Sequence, residues 1–379
     1  MTTVDLIYFN AGGGHRAAAL ALQAVCQTQQ RPWNIRLVNL TEVLDPQSSF
    51  RRLTGMAPED LYNKRLAKGW TLGLAQELKL LQGLIRLGHT SMHSRLARHW
   101  RHTTPDLVVS LIPNFNRVLC ESLGDALPGV PYVTVMTDMA DHPPNFWQEP
   151  GLPQHLVCGT DAALAQARAA GHAEHLLHRT SGMIVHPRFY AEPVASRADE
   201  RARLGLPQDV PTGVVMFGGT GSQTMEAIAR ALPQTPLVLL CGHNDKLAAR
   251  LRLQVAAAPR VVVGFTPDVR GYMALGDFFV GKPGPGSLSE AVLMGLPVVT
   301  VRNAFTMPQE RYNTDWVREH QLGIVLRGWN RIGSVPATLA RELPALRARV
   351  AAMRNRAVFE VPEILARILT TESRLAMAA

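Results

Sequence analysis

The sequence predicts two doubly wound α/β domains in tandem, and three observations carry that prediction. Apolar runs rich in β-branched residues alternate with helical patterns, as in a parallel sheet buried on both faces. The alternation breaks off and restarts near residue 212. At 379 residues, 46% of them apolar, the chain exceeds what one core usually holds and has the material for two.

In order, "DLIYF" reads as the first strand, "HRAAALALQAV" as a helix of small residues and "NIRLVNL" as the second strand. Residues 50–103 then interrupt the rhythm with helical patterns and no strand. Between Leu61 and His102 stand eight Lys or Arg and one acidic residue, Glu77, interleaved with Trp70, Leu74, Leu78, Leu81 and Ile85. This is the pattern of a basic amphipathic surface, or of a helical insertion whose charges are solvated. "DLVVSLI", "PYVTVMT" and "HLVCG" complete the first sheet. Prolines and charges in "HPRFYAEPVASRADERARLGLPQDVP" mark the boundary, giving an N-terminal domain over 1–190 with the insertion at 50–103. The second domain, 191–350, takes its strands from "TGVVMF", "PLVLLCG", "RVVVGF", "DFFVG", "PVVTV" and "GIVLR". A helical segment over 351–379 follows, able to pack back on the first domain.

The net charge of +9 permits an anionic partner without choosing among nucleic acid, a lipid surface and a phosphorylated substrate. The four cysteines lie far apart with no C-x-x-C pair, which fits neither a zinc site nor a disulfide framework and points to a reducing cytoplasm. The start "MTTVDLIYFN" lacks the basic and apolar regions of a signal peptide, and no apolar run reaches the length of a spanning helix. A soluble or membrane-peripheral protein is expected.

Three glycine-rich turns follow strands. In "GGGHRA", Gly12, Gly14 and Ala17 meet the spacing of a dinucleotide turn, but the second strand ends in Asn39 where a ribose-binding acid is wanted, with Glu42 later. The other two, "FGGTGS" (Gly218 to Ser222) and "GKPGPGSLSEA" (Gly284, Pro285, Gly286, Ser287, Glu290), each read as opening a helix. Free amides at such starts attract anions, so the pair suggests a diphosphate. Glu290, placed in the first turn of its helix, suits two adjacent hydroxyls of a ribose. Gln309, Glu310 and Asn313 of "PQERYN" suit the hydroxyls of a hexose, or cap the next helix. "TDMADHPPNFW" gathers Asp138, Asp141, His142 and Trp147 in a loop after a strand, either functional or merely proline-stiffened. His15 stands where the first turn becomes a helix, where the dipole disfavours imidazolium and leaves a neutral ring able to accept a proton.

With "GGGHRAAA", "VTVMTDMADHPPNFW", "CGTDAALAQARAAG", "FGGTGS", "GKPGPGSLSEAVLMGLPVV" and "PQERYN" in order, the chain resembles the monogalactosyldiacylglycerol synthases and processive diacylglycerol glucosyltransferases of glycosyltransferase family 28. It resembles the peptidoglycan N-acetylglucosaminyltransferase more distantly. The resemblance implies a GT-B fold, two Rossmann-like domains facing a cleft, with the nucleotide sugar on the second and the acceptor on the first. By motif position it puts Gly219, Ser222, Gly284, Pro285, Gly286 and Ser287 at the diphosphate and Phe265 at the uracil. It puts Glu290 at the ribose and Gln309 and Glu310 at the sugar. It makes His15 the general base, with Asp138 or Asp141 as rivals, and sets His142 near the acceptor or donor phosphate. Such enzymes invert the anomeric centre by direct displacement, with no cofactor and no bridging metal.

Two departures stand out: Pro308 where relatives commonly carry glycine, and an altered segment over 302–306. The expectation is a cytoplasmic enzyme, peripheral on the inner face of an anionic membrane. It would take a UDP-hexose and a lipid acceptor, most simply diacylglycerol, and would bind no nucleic acid. A UDP-sugar epimerase of the same fold and a non-enzymatic basic binding protein are the alternatives.

Overall fold

The computed structural model describes residues 1–10, 13–46, 74–192 and 195–378, in two compact units. The first holds the chain up to Pro187 together with the segment from Asn355 onward; the second is Arg188–Arg354.

The first unit is built on a six-stranded parallel sheet in the order β2-β1-β3-β4-β5-β6. Its strands are β1 (Thr2–Tyr8), β2 (Trp33–Asn39), β3 (Leu107–Ser110), β4 (Tyr132–Val135), β5 (His155–Cys158) and β6 (Leu177–Arg179). Every residue of β3, β4 and β5 is buried, which is why these segments read as unbroken apolar runs rather than alternating ones. Asn39 ends β2 as a helix cap: its Oδ1 accepts from the Thr41 amide at 3.2 Å and its Nδ2 donates to Glu42 at 3.1 Å. That explains the missing acid at the end of the second strand, since a cap stands there instead.

Part of the helical insertion, 50–73, lies outside the described residues, including Lys64, Arg65 and Lys68. The helices that follow, Leu74–Leu87 and His89–Thr103, differ in how they meet the unit. The second anchors Trp100 in the core, its indole N–H donating to Ser122 Oγ at 3.0 Å. The first leaves Leu80, Leu81, Leu84 and Leu87 in solvent, the last 85% exposed.

From Asn355 the chain returns to the first unit. The helix Ala357–Ala378 buries Val358, Val361, Ile364, Leu365 and Ile368 and packs against the helix Gly14–Thr28. Arg31 pairs with Glu363, and the Ser181 amide donates to Glu360 at 2.7 Å.

The second unit repeats the plan with the order β12-β11-β10-β7-β8-β9, all parallel. Its strands are β7 (Gly213–Met216), β8 (Leu237–Leu240), β9 (Arg260–Val263), β10 (Phe278–Val280), β11 (Val298–Val301) and β12 (Gly323–Leu326). Asp277, just before β10, gathers Arg197, Arg201 and Arg347 and accepts from the Thr212 amide at 2.7 Å. Burial would raise this carboxyl, but the Thr212 hydrogen bond and the Arg197 and Arg347 charges outweigh it and hold the group below the usual carboxylate range.

Candidate active site

In each sheet the strand order reverses between two neighbouring strands, and open α/β sheets take their ligands outside the carboxyl ends of the strands at such a reversal. In the first unit the two neighbours are β1 and β3; in the second, β7 and β10.

At the first reversal, Gly13 takes the left-handed backbone (φ 77°) that caps the helix Gly14–Thr28, a conformation glycine adopts without penalty. Gly12 lies outside the described residues. His15 is then the second helical residue. Its Nδ1 is 3.1 Å from Thr137 Oγ1, and its ring lies 6.0 Å from that of Trp147 at 55°. Burial pushes the imidazole down to about 4, against a hydrogen bond with the Leu111 backbone that pulls the other way. The ring is therefore neutral at pH 7, chiefly through loss of hydration rather than through the helix dipole on which the sequence argument leaned.

The loop after β4 holds Trp147 in place. Asp141 accepts from the amides of Asn145, Phe146 and Trp147 at 2.9, 3.0 and 2.7 Å, and its own amide donates to Gln166 at 2.8 Å. Burial raises its pKa to about 6, with these amides acting in the opposite sense, so it is ionised at neutral pH. With both oxygens engaged by backbone amides, Asp141 holds the loop over 141–147 in its turn. Asp138 accepts from the Trp147 indole at 3.0 Å. The structure thus brings His15, Trp147, Asp138 and Asp141 into one cluster. His142 is half-buried in the same loop, before the cis His142–Pro143 peptide.

In the second unit, the turn after β7 has Gly218 and Gly221 at φ 71° and 59°. It is clamped from behind by the loop after β8. A Cβ on Gly242 would fall 2.1 Å from the Gly219 carbonyl oxygen, the His243 amide donates to that oxygen at 2.8 Å, and Asn244 Nδ2 donates to the Thr220 carbonyl at 3.2 Å. Gly219 itself faces open space. Ser222 accepts from the Thr224 amide at 3.2 Å and so introduces the helix Thr224–Ala231, which follows directly on the turn.

After β10 the helix Pro285–Leu293 begins with Gly284 as its cap and proline in its first position, where a fixed φ suits the helix and the missing N–H is no loss. The amides of Gly286 and Ser287, in the first turn, then have no carbonyl partner within the helix. This early start corrects the placement of Glu290, which is the sixth helical residue and lies in the second turn. Burial pushes its carboxyl up to about 7, opposed by the Arg188 charge, so the local stabilisation expected of a first-turn carboxylate is absent.

The helix Pro308–Glu319 likewise opens on proline, with Gln309 and Glu310 in its first turn. Gln309 is half-buried beside Met307. Glu310 is buried and paired with Lys282 at 2.9 Å, while the buried Asn313 donates to the Pro283 carbonyl at 2.7 Å. Side chains of this helix therefore support the backbone that leads into Gly284 and Pro285. Phe265, at the end of β9, is 62% exposed and lies against His243. Lys282 and His243 were missed in the sequence although each adjoins a glycine of a turn; Thr137 carried no signal of its own.

No protein-family model matches the chain. It is 26% identical over 365 residues to a probable monogalactosyldiacylglycerol synthase of Nicotiana tabacum, across 88% of this chain and 64% of that one. It thus spans less than two-thirds of that relative's length. Among solved structures, Acinetobacter baumannii MurG superposes with a TM-score of 0.61 over 97% of this chain and 100% of its own, at 13% identity. Anabaena HepE in complex with UDP gives 0.56 over 98% and 100%, at 15%. The fold expected from the sequence is the one found, and the chain is a homologue of the monogalactosyldiacylglycerol synthases built on the GT-B glycosyltransferase fold.

Proposed function

We propose that this protein is an inverting glycosyltransferase that moves a hexose, galactose or glucose, from a UDP-sugar to the hydroxyl of a lipid, diacylglycerol. The observation that carries the reading is the second unit's strand reversal, flanked by two glycine turns with Gly219 facing open space and helix-start amides at Gly286 and Ser287. A diphosphate suits those amides, the exposed Phe265 ring suits a uracil, Glu290 a ribose, and Gln309 with Glu310 a hexose. The UDP bound by the structurally similar HepE and the sugar-to-lipid chemistry named by the tobacco relative support the same assignment.

In the first unit, the neutral His15 imidazole takes the proton of the acceptor hydroxyl as the new oxygen–carbon bond forms and the bond from the anomeric carbon to the diphosphate oxygen breaks. Helix-start amides disperse the charge that develops on the leaving UDP, and the reaction calls for no metal. Leu80, Leu84 and Leu87, one face of an exposed helix, support a peripheral seat on an anionic membrane. Among the described residues no helix is long and apolar enough to cross one.

The test is incubation of the purified protein with diacylglycerol vesicles and labelled UDP-hexoses in turn. Label extracted with the lipid establishes the reaction and its sugar. Label that stays water-soluble as a rearranged UDP-sugar would replace it with epimerisation.

A further inference from the structure

His243 belongs to no motif of the donor site, yet it touches two of that site's parts. Its amide donates to the Gly219 carbonyl at 2.8 Å, and its ring lies nearly parallel to Phe265, with centroids 4.0 Å apart and 17° between the planes. Gly242 and Asn244 on either side press the same loop onto the turn over 218–222. The imidazole therefore stands between the carboxyl end of β7 and that of β9.

Core packing does not account for this pair. Both rings are exposed, Phe265 by 62%, so the stack shields little apolar surface and spans two loops that must each hold still for it. What the arrangement does achieve is to fix one face of an otherwise free phenyl ring while leaving the remainder open. A ring already held in place loses less freedom when a planar ligand stacks on it, and binds that ligand more tightly.

Resting on the donor reading above, we propose that His243 is a positioning residue for the nucleobase: stacked behind Phe265, it turns that side chain into a fixed two-ring platform for the base of a nucleoside diphosphate. Its influence runs through the base and not through the phosphates, which the turn amides hold.

Calorimetry with UDP and with inorganic pyrophosphate tests this on the intact chain. His243→Ala should weaken UDP binding by about three- to tenfold and leave pyrophosphate binding and the melting temperature unchanged. His243→Phe, which restores a flat ring but no imidazole, should recover UDP affinity. The proposal is overturned if His243→Ala binds UDP as the native protein does. It is equally overturned if pyrophosphate affinity falls in parallel, or if the phenylalanine variant fails to recover, since either result assigns His243 to the phosphates or to folding. A native protein that binds pyrophosphate but shows no preference for UDP over it would instead remove the donor reading, and this platform with it.

Discussion

Alanine at Gly242 and alanine at Gly219 should fail in opposite ways, because the two glycines are small for different reasons. A methyl group on Gly242 would lie 2.1 Å from the Gly219 carbonyl oxygen and 2.6 Å from its carbon, with the backbone at φ 57°. The left-handed conformation costs alanine about 1–2 kcal/mol. Forcing a methyl against backbone adds about 1–3 kcal/mol, because the 218–222 turn must move and the His243 amide loses its 2.8 Å partner. A total of about 2–5 kcal/mol should lower the melting temperature of the second unit by about 4–20 °C. Gly219 has no atom within 4 Å of where its Cβ would stand, and its φ is outside the left-handed range. Gly219→Ala should therefore melt like the native protein, yet lose UDP affinity by about tenfold or more as the methyl occupies the approach to the turn amides. Scanning calorimetry and UDP titration on the two variants separate the effects. A Gly242→Ala protein with native melting and native UDP affinity would refute the packing argument. A Gly219→Ala protein with native UDP affinity would refute the ligand's place.

His15→Ala should lower turnover by about a hundred- to ten-thousandfold with UDP affinity retained. Because burial sets the ring near 4, the acid limb of the native rate profile should lie close to that pH; a limb at 6–7 assigns the proton to another group. Glu290, raised from 4.5 to about 7 in the folded state, binds more protons folded than unfolded, so its contribution to stability is full below 4.5 and is lost as pH rises through about 7. Glu290→Gln should accordingly melt higher than the native protein at pH 8 and alike at pH 4, and equal differences at both would contradict the assignment. Lys282→Met leaves the buried Glu310 carboxylate without its 2.9 Å partner and should destabilise by about 1–3 kcal/mol, with stability recovered in the Lys282→Met, Glu310→Gln double variant. Leu84→Glu with Leu87→Glu should release the protein from anionic vesicles in a flotation assay while leaving its fold intact, because both side chains already stand in solvent.

Features encoded by neighbours in sequence were legible in advance. Burial on both faces writes itself into "LVVS", "YVTV" and "LVLL", and a backbone that must turn left-handed after a strand calls for the glycines at 13, 218 and 221. The start of the Pro285–Leu293 helix was also written, in the Gly284 cap and the proline after it, and reading that signal would have put Glu290 in the second turn. Contacts that close across the fold were not legible. His15 meets Thr137 from 122 residues away, and Lys282 meets Glu310 from 28. No local pattern ranks such partners above the many other hydroxyls and acids of the chain. Asp141 is an intermediate case: its amide donors sit four to six residues ahead, within reach of a loop reading, but a lone acid beside a histidine suggests catalysis just as readily.

The return of the chain to its first unit has a consequence for how the molecule is made. When a ribosome has emitted Arg354, every described segment of the second unit exists, while the first still lacks the helix that covers part of its Gly14–Thr28 face. The later-encoded sheet is thus the earlier one able to finish folding, and the amino-terminal half must wait with an apolar flank uncovered until Val358, Val361, Leu365 and Ile368 arrive. A nascent chain stalled after Arg354 would carry one finished unit and one awaiting its last helix, and a chaperone or a protease would meet the older half of the protein as the less complete.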